Sequence, residues 1–246
     1  MTGALALVLL VLSSGEEGAE GLPARVRRVV LHVPGGPSYG RPERRFVFLP
    51  PAETQALWRR SFGAHWIVWT DGSLWPREPQ PSEPMSVVPP VDHPANATFR
   101  RGLAREAAPV YSHLHIGNSD SIGIEVAHSG RSHDPFPEAQ VRSLAWLLRT
   151  LLEMSGGRLT PADIAGHKDL DRRPAYVLPR CERPGCPVFV DGEGRPFRRR
   201  VDPPESLFGA LGREGLPIPR PDGDGDDELR RAEAIPAGEQ PRVVRR

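Results

Sequence analysis

Ser121-Ile122-Gly123-Ile124-Glu125-Val126-Ala127 is the stretch on which the fold turns. It is apolar apart from a single carboxylate near its end, which is the pattern of a buried strand delivering one charged side chain to a sheet edge. Residues 137–154 follow, with Val141, Leu144, Ala145, Leu148 and Leu152 at helical spacing and Gly156-Gly157 closing the run. Thr160-Pro161 then fits an N-cap with proline at the first helical position, and Asp163-Ile164-Ala165-Gly166 leads into His167. Upstream, residues 27–33 (RRVVLHV) form a second continuous apolar strand with His32 near its end. Residues 64–69 (AHWIVW), the turn Thr70-Asp71-Gly72-Ser73 and the return Leu74-Trp75 predict a β-hairpin.

Outside these elements the reading is less regular. Residues 34–39 are a loop, 52–60 have helical spacing, and 77–109 are a proline- and charge-rich loop with a short helix at 99–106. Residues 188–201 predict a second hairpin turning at 191–194, and 207–211 a short helix. Beyond Gly215 large apolar side chains nearly vanish, so residues 216–246 are expected to be a disordered tail. The expected organisation is a leader and linker at 1–21, one domain at 22–215 and the tail.

Composition sets outer limits. The chain has 32 Lys and Arg against 31 Asp and Glu, so no net field draws it toward nucleic acid or an anionic membrane. Ala4 to Leu12 is an apolar run of signal-peptide length, too short for a membrane span of about 20 residues. That run leads to the expectation of an extracytoplasmic protein with no membrane span in its mature form. Cys181 and Cys186 are the only cysteines and suit a local disulfide or two free thiols.

Three segments place metal-capable side chains at or just beyond strands: VVLH ending at His32, SIGIE ending at Glu125, and AGHKD containing His167. A zinc hydrolase needs a few imidazole or carboxylate ligands and one open position for water. Strand ends can fix such ligands in space.

The series VVLH, AHWIVWTDGSLW, NSDSIGIEV, AGHKD and RVDPPESLF, in this order, resembles the type-2 N-acetylmuramoyl-L-alanine amidases, relatives of peptidoglycan recognition proteins and phage amidase-type lysozymes. The resemblance covers about residues 26–208. It implies an α/β fold with a mixed central β-sheet flanked by helices, a Zn²⁺ ion in a peptide-binding groove, and hydrolysis of the amide between N-acetylmuramic acid and L-alanine. The expected partner is therefore peptidoglycan or a muropeptide, met by a monomer.

Carried onto this sequence, the first two zinc ligands match His32 and His167. Family members place an Asp within Lys-x-Asp-Pro-Gly-Pro soon after the second histidine, and Arg200-Val201-Asp202-Pro203-Pro204 is the matching stretch. Asp202 is thus the expected third ligand, reached across an insertion at 170–200. Cys186-Pro187 stays open as an alternative, because recognition-protein relatives use a cysteine there. Glu125 matches the glutamate that activates water. The tyrosine that phage-type relatives place before the hairpin histidine is Ala64 here, which favours Glu125 as the base.

Arg200 stands where the family has a lysine that stabilises the oxyanion, and its planar head is no simple substitute for an ammonium. His65 matches a packing position. His115 and Asn118, in the SHLHIGN stretch, match a groove-lining segment whose tryptophan is missing. The arginine replacement and the missing tryptophan leave a second expectation open, a peptidoglycan-binding module of the same fold with weak or lost chemistry. His93, His128 and His133 match nothing in the family.

Overall fold

The computed structural model describes residues 22, 26–33, 48, 66–76, 121–177, 185–221, 225–236 and 239–245. The expected leader, the helices at 52–60 and 99–106, and the loop at 77–109 lie outside the described residues. Within them is an α/β arrangement whose centre is a five-stranded mixed sheet of order β3-β2-β4-β1-β5. Its strands are β1 (Arg28–His32), β2 (Trp66–Val68), β3 (Leu74–Pro76), β4 (Ser121–Val126) and β5 (Ile164–Gly166). β1 runs parallel to both β4 and β5, β2 runs parallel to β4, and only the β2–β3 hairpin is antiparallel.

Parallel strands need cover on both faces, which is why β1 and β4 read as nearly unbroken apolar runs. Val29, Val30, Leu31, Ile122 and Ile124 are all buried. The hairpin forms where Thr70-Asp71-Gly72-Ser73 predicts it, with Asp71 Oδ1 accepting from the backbone N–H of Ser73 at 2.8 Å. Gly72 has φ +84, and an added Cβ would lie 2.6 Å from the Ala139 carbonyl, so the turn and the close approach of the next helix both require glycine.

That helix, α1 (Glu138–Met154), packs Val141, Leu144, Ala145, Leu147, Leu148 and Leu151 into the core. Each large apolar side chain contributes about 1.5–3 kcal/mol on burial, which outweighs propensity differences of at most ~0.7 kcal/mol per residue. Packing therefore decides the helix. Ser155 ends it, followed by Gly156 and Gly157, both at positive φ. Thr160 and Asp163 form the expected capping interaction, but around a single 3-10 turn, Pro161–Asp163, that feeds straight into β5.

After β5 come the one-turn helix α2 (His167–Leu170), β6 (Pro187–Val190), α3 (Glu205–Arg213), α4 (Asp227–Glu233) and β7 (Arg242–Arg245). α3 extends the short helix expected at 207–211 and adds Leu207, Phe208, Ala210 and Leu211 to the main core. The hairpin expected at 188–201 keeps its turn, with the Asp191 N–H donating to the Arg195 carbonyl at 3.0 Å. Its return limb makes only isolated bridges, Pro196 to Val190 and Arg198 to Pro174, and the regular partner of β6 is instead β7.

In the segment 216–246, expected as a disordered tail, the described residues form regular structure. Leu216 and Ile218 join the main core, α4 buries Leu229 and Ala232, and β7 pairs antiparallel with β6 over four residues. Composition underestimates the segment because Leu216, Ile218 and Leu229 are buried, though Val243 is exposed, and because charged residues anchor it. Arg198 pairs with Glu228, Arg231 with Asp191, and Glu233 accepts from Ser132. A small second cluster of Ala175, Phe197 and Ala232, with Phe189 and Ile235 against it, lies under this region. No helix among the described residues is long and apolar enough to cross a membrane.

Candidate metal centre and its surroundings

Sheet register brings the chemistry together. In the β1–β4 pair His32 stands opposite Glu125, so in a parallel ladder the two side chains leave the same face. In the β1–β5 pair Leu31 stands opposite Gly166, so the next step of register sets His167 beside His32. Three neighbouring parallel strands thus deliver His32, Glu125 and His167 at their carboxyl ends, where open α/β sheets place their ligand crevices.

The imidazoles meet directly: His32 Nδ1 lies 2.9 Å from His167 Nδ1, with ring centroids 4.4 Å apart and planes at 72°. Asp202 Oδ2 lies 3.6 Å from His167 Nδ1 and accepts from the backbone N–H of Val33 at 3.2 Å. All three residues are buried, and one ligand atom from each lies within 4.8 Å of the others. A tetrahedral zinc with bonds of about 2.0–2.1 Å separates its ligand atoms by about 3.3 Å. The contacts of 2.9 and 3.6 Å straddle that value. Two imidazoles and one carboxylate leave a fourth position open, so the donor set fits a catalytic zinc.

Gly166 allows this approach. A Cβ there would fall 2.8 Å from Pro203 Cδ and 3.3 Å from Phe208, so only glycine lets the Asp202-Pro203 segment reach the end of β5. The Lys168 N–H donates to the Asp202 carbonyl at 2.8 Å, and the Gly166 N–H donates to Asp169 Oδ2 at 2.7 Å. The segment is therefore tied to the backbone on either side of His167.

Electrostatics match the geometry. Burial pushes His167 below the ordinary histidine range, and Arg200 adds to this while Asp202 opposes it. Its imidazole is thus neutral at physiological pH, the form that binds a cation. Burial alone would raise Asp202, but His167, Arg200 and His32 together hold it well below the usual carboxylate range.

Glu125 goes the other way. Desolvation and the neighbouring Asp202 raise it to about 8, against a smaller lowering by Arg200. Although part of the residue reaches solvent, Oε2 is buried and has no hydrogen-bond partner among the described residues. Buried Nε of Arg200 is likewise unpartnered. A buried polar atom without a partner is costly, and such atoms collect where a ligand is meant to satisfy them.

The expected residues therefore divide. His32, His167 and Asp202 converge, with Glu125 and Arg200 near enough to shift their protonation. Cys186 does not join them: it is buried and disulfide-bonded, so it offers no thiolate, which closes the alternative third ligand. His65, His93, His113, His115 and Asn118 lie outside the described residues. His128 is buried rather than solvated, stacked on Phe136 at 3.8 Å, and burial lowers its pKa. His133 is exposed beside Asp134 and Glu233.

Residues 22–187 match the family described as N-acetylmuramoyl-L-alanine amidase, about two-thirds of the chain. The chain belongs to this family. The match includes His32, Glu125 and His167 and stops before Arg200 and Asp202, so the amidase's last two candidate residues are brought in by the fold rather than by the matched sequence. No curated protein matches in sequence.

Among solved structures, AmpDh3 from Pseudomonas aeruginosa is 17% identical over 85% of this chain and 67% of its own, with a TM-score of 0.40. The same protein in complex with an anhydromuramic pentapeptide is 18% identical over 93% and 82%, also at 0.40. The amidase LysC from Clostridium intestinale is 16% identical over 63% and 80%, at 0.29.

Proposed function

We propose that this amidase hydrolyses the amide between N-acetylmuramic acid and L-alanine with a Zn²⁺ ion held by His32, His167 and Asp202. The observation that carries the reading is the convergence of those three buried side chains beside the unpartnered carboxyl oxygen of Glu125. Bound there, zinc supplies Lewis-acid polarisation of the scissile carbonyl and lowers the pKa of water toward about 7. Glu125 takes the proton from the attacking water and returns it to the leaving amine nitrogen as the C–N bond breaks and the new C–O bond forms. In the metal-free protein burial holds this carboxyl near 8, so it readily takes a proton, which supports the role.

Arg200 offers a guanidinium to the oxyanion that develops on the carbonyl oxygen. Val33 N–H keeps Asp202 oriented. His115 and Asn118 are assigned to the substrate groove on the strength of their sequence match. The apolar run at residues 4–12 supports an extracytoplasmic protein acting on peptidoglycan or its fragments.

The test is zinc content of the purified protein together with release of free stem peptide from muropeptides. One bound zinc and stem peptide with a free L-alanine amine are expected. A zinc-loaded protein that binds peptidoglycan and releases nothing would replace hydrolysis with the binding-module reading, which the arginine at position 200 favours.

A further inference from the structure

The family match ends at residue 187, yet the chain beyond it grips the residue next to His167. Lys168 is buried, 8% exposed, and its ammonium has three acceptors: the Gly225 carbonyl at 3.0 Å, Asp226 Oδ1 at 2.9 Å and Glu205 Oε1 at 2.9 Å. An ammonium has three protons to give, so the set is complete. Asp226, equally buried, has a second task. Its two oxygens accept from the backbone N–H of Glu205 at 2.9 and 3.0 Å.

Glu205 opens α3, three residues after Asp202. One carboxylate therefore ties the residue that follows His167 to the segment that carries Asp202. Arg220 reinforces the same junction: it holds Asp169 with two bonds at 2.7 and 2.9 Å, reaches Glu205 at 3.0 Å, and lies 3.6 Å over the Phe208 ring. His167 and Asp202 belong to different parts of the chain, and Glu205, Arg220 and Asp226 add to the bond between the Lys168 N–H and the Asp202 carbonyl in holding them together.

We propose that Asp226 is a positioning residue for the metal centre, setting the distance between His167 and Asp202 and with it the affinity for a divalent cation. The inference rests on the zinc reading above. Metal sites tolerate ligand displacements of only about 0.2 Å, so a small relaxation between the two arms is felt as lost affinity. Without Asp226 the arms stay joined by the Lys168 N–H to the Asp202 carbonyl, by the Lys168 ammonium to Glu205 and by Arg220, but the acceptor shared by the ammonium and the Glu205 N–H is gone, so the junction loosens. A merely structural salt bridge would cost stability and leave metal affinity alone.

The experiment compares full-length Asp226→Asn, Asp226→Glu and Glu233→Gln. Glu233 is another anchor of α4, bonded to Ser132 and not to Lys168. Zinc affinity is measured by competition with a chelator, amide exchange at Lys168 in the metal-free protein, and kcat and KM on a muropeptide. Asp226→Asn is expected to weaken zinc about tenfold or more, and to speed Lys168 exchange about tenfold. It should lower kcat with KM unchanged.

Asp226→Glu should recover most of this, and Glu233→Gln should change none of the three. Unaltered zinc affinity and exchange in Asp226→Asn, or equal losses in Glu233→Gln, would overturn the assignment. If the unaltered protein takes up no zinc the metal reading itself fails, and Lys168 exchange then decides alone whether Asp226 positions Asp202.

Discussion

Two halves of the candidate centre are held by different physics. His32, Glu125 and His167 stand at the ends of three adjacent parallel strands, so backbone hydrogen bonds and a close-packed apolar core fix them in register. Arg200 and Asp202 come from the end of an insertion, and their surroundings are secured by ion pairs, a small apolar cluster and a disulfide at Cys186. The sheet-held half is rigid wherever the domain folds. The insertion-held half depends on charged contacts whose loss leaves buried charges without partners, which costs more than such a pair contributes when intact.

The largest expected effect lies in the sheet-held half. Glu125→Gln keeps the shape and removes the proposed proton carrier, so kcat should fall by about 10²–10⁴ while zinc content stays at the unaltered level. Arg200→Ala, in the other half, removes the proposed oxyanion donor, worth about 10²–10³ in kcat. Steady-state kinetics on one muropeptide ranks the two. A larger loss for Arg200→Ala would mean that the insertion, and not the sheet, carries most of the chemistry.

Glu125 also makes the comparison visible in stability. Its folded pKa, about 8, is above the ordinary 4.5, so between these values the folded protein holds a proton that the unfolded chain has released. The stabilisation is fully present below pH of about 4.5 and is lost as pH rises through about 8, by an amount on the order of a few kcal/mol. Denaturant unfolding of the metal-free protein should therefore show stability draining across that window, and Glu125→Gln should abolish this component. Persistence of the same slope in Glu125→Gln would place its source elsewhere.

The same division explains what the sequence makes legible. SIGIE, VVLH and AGHKD are short and locally patterned, so continuous apolar runs leading to His32, Glu125 and His167 reveal both the strands and the residues they deliver. Asp202 was recoverable only through its Arg-Val-Asp-Pro context, because 35 positions separate it from His167 and nothing in the composition between them specifies the path. Lys168, Asp226 and Arg220 passed unnoticed. Asp226 sits in the run PDGDGDDELRR, which by charge and glycine content reads as solvated chain, and its role appears only once the fold brings a buried ammonium to it. Pairings between distant charged residues leave no periodic trace, whereas apolar faces do.

The smallest expected effect separates the cysteine from the metal. Cys186 is buried at 3% exposure and disulfide-bonded, so Cys186→Ser should lose at most about 2 kcal/mol of stability, the scale for closing a short loop. Zinc content should not change, because no thiolate is available to the centre in the unaltered protein. Asp202→Asn, by contrast, replaces a charged ligand oxygen with an amide beside two imidazoles and should lose most of the zinc. Metal analysis of the two variants at equal protein concentration is enough to tell them apart. Zinc lost from Cys186→Ser but kept in Asp202→Asn would transfer the third ligand to the insertion and reverse the order of the two halves, since the centre would then close only when the disulfide opens.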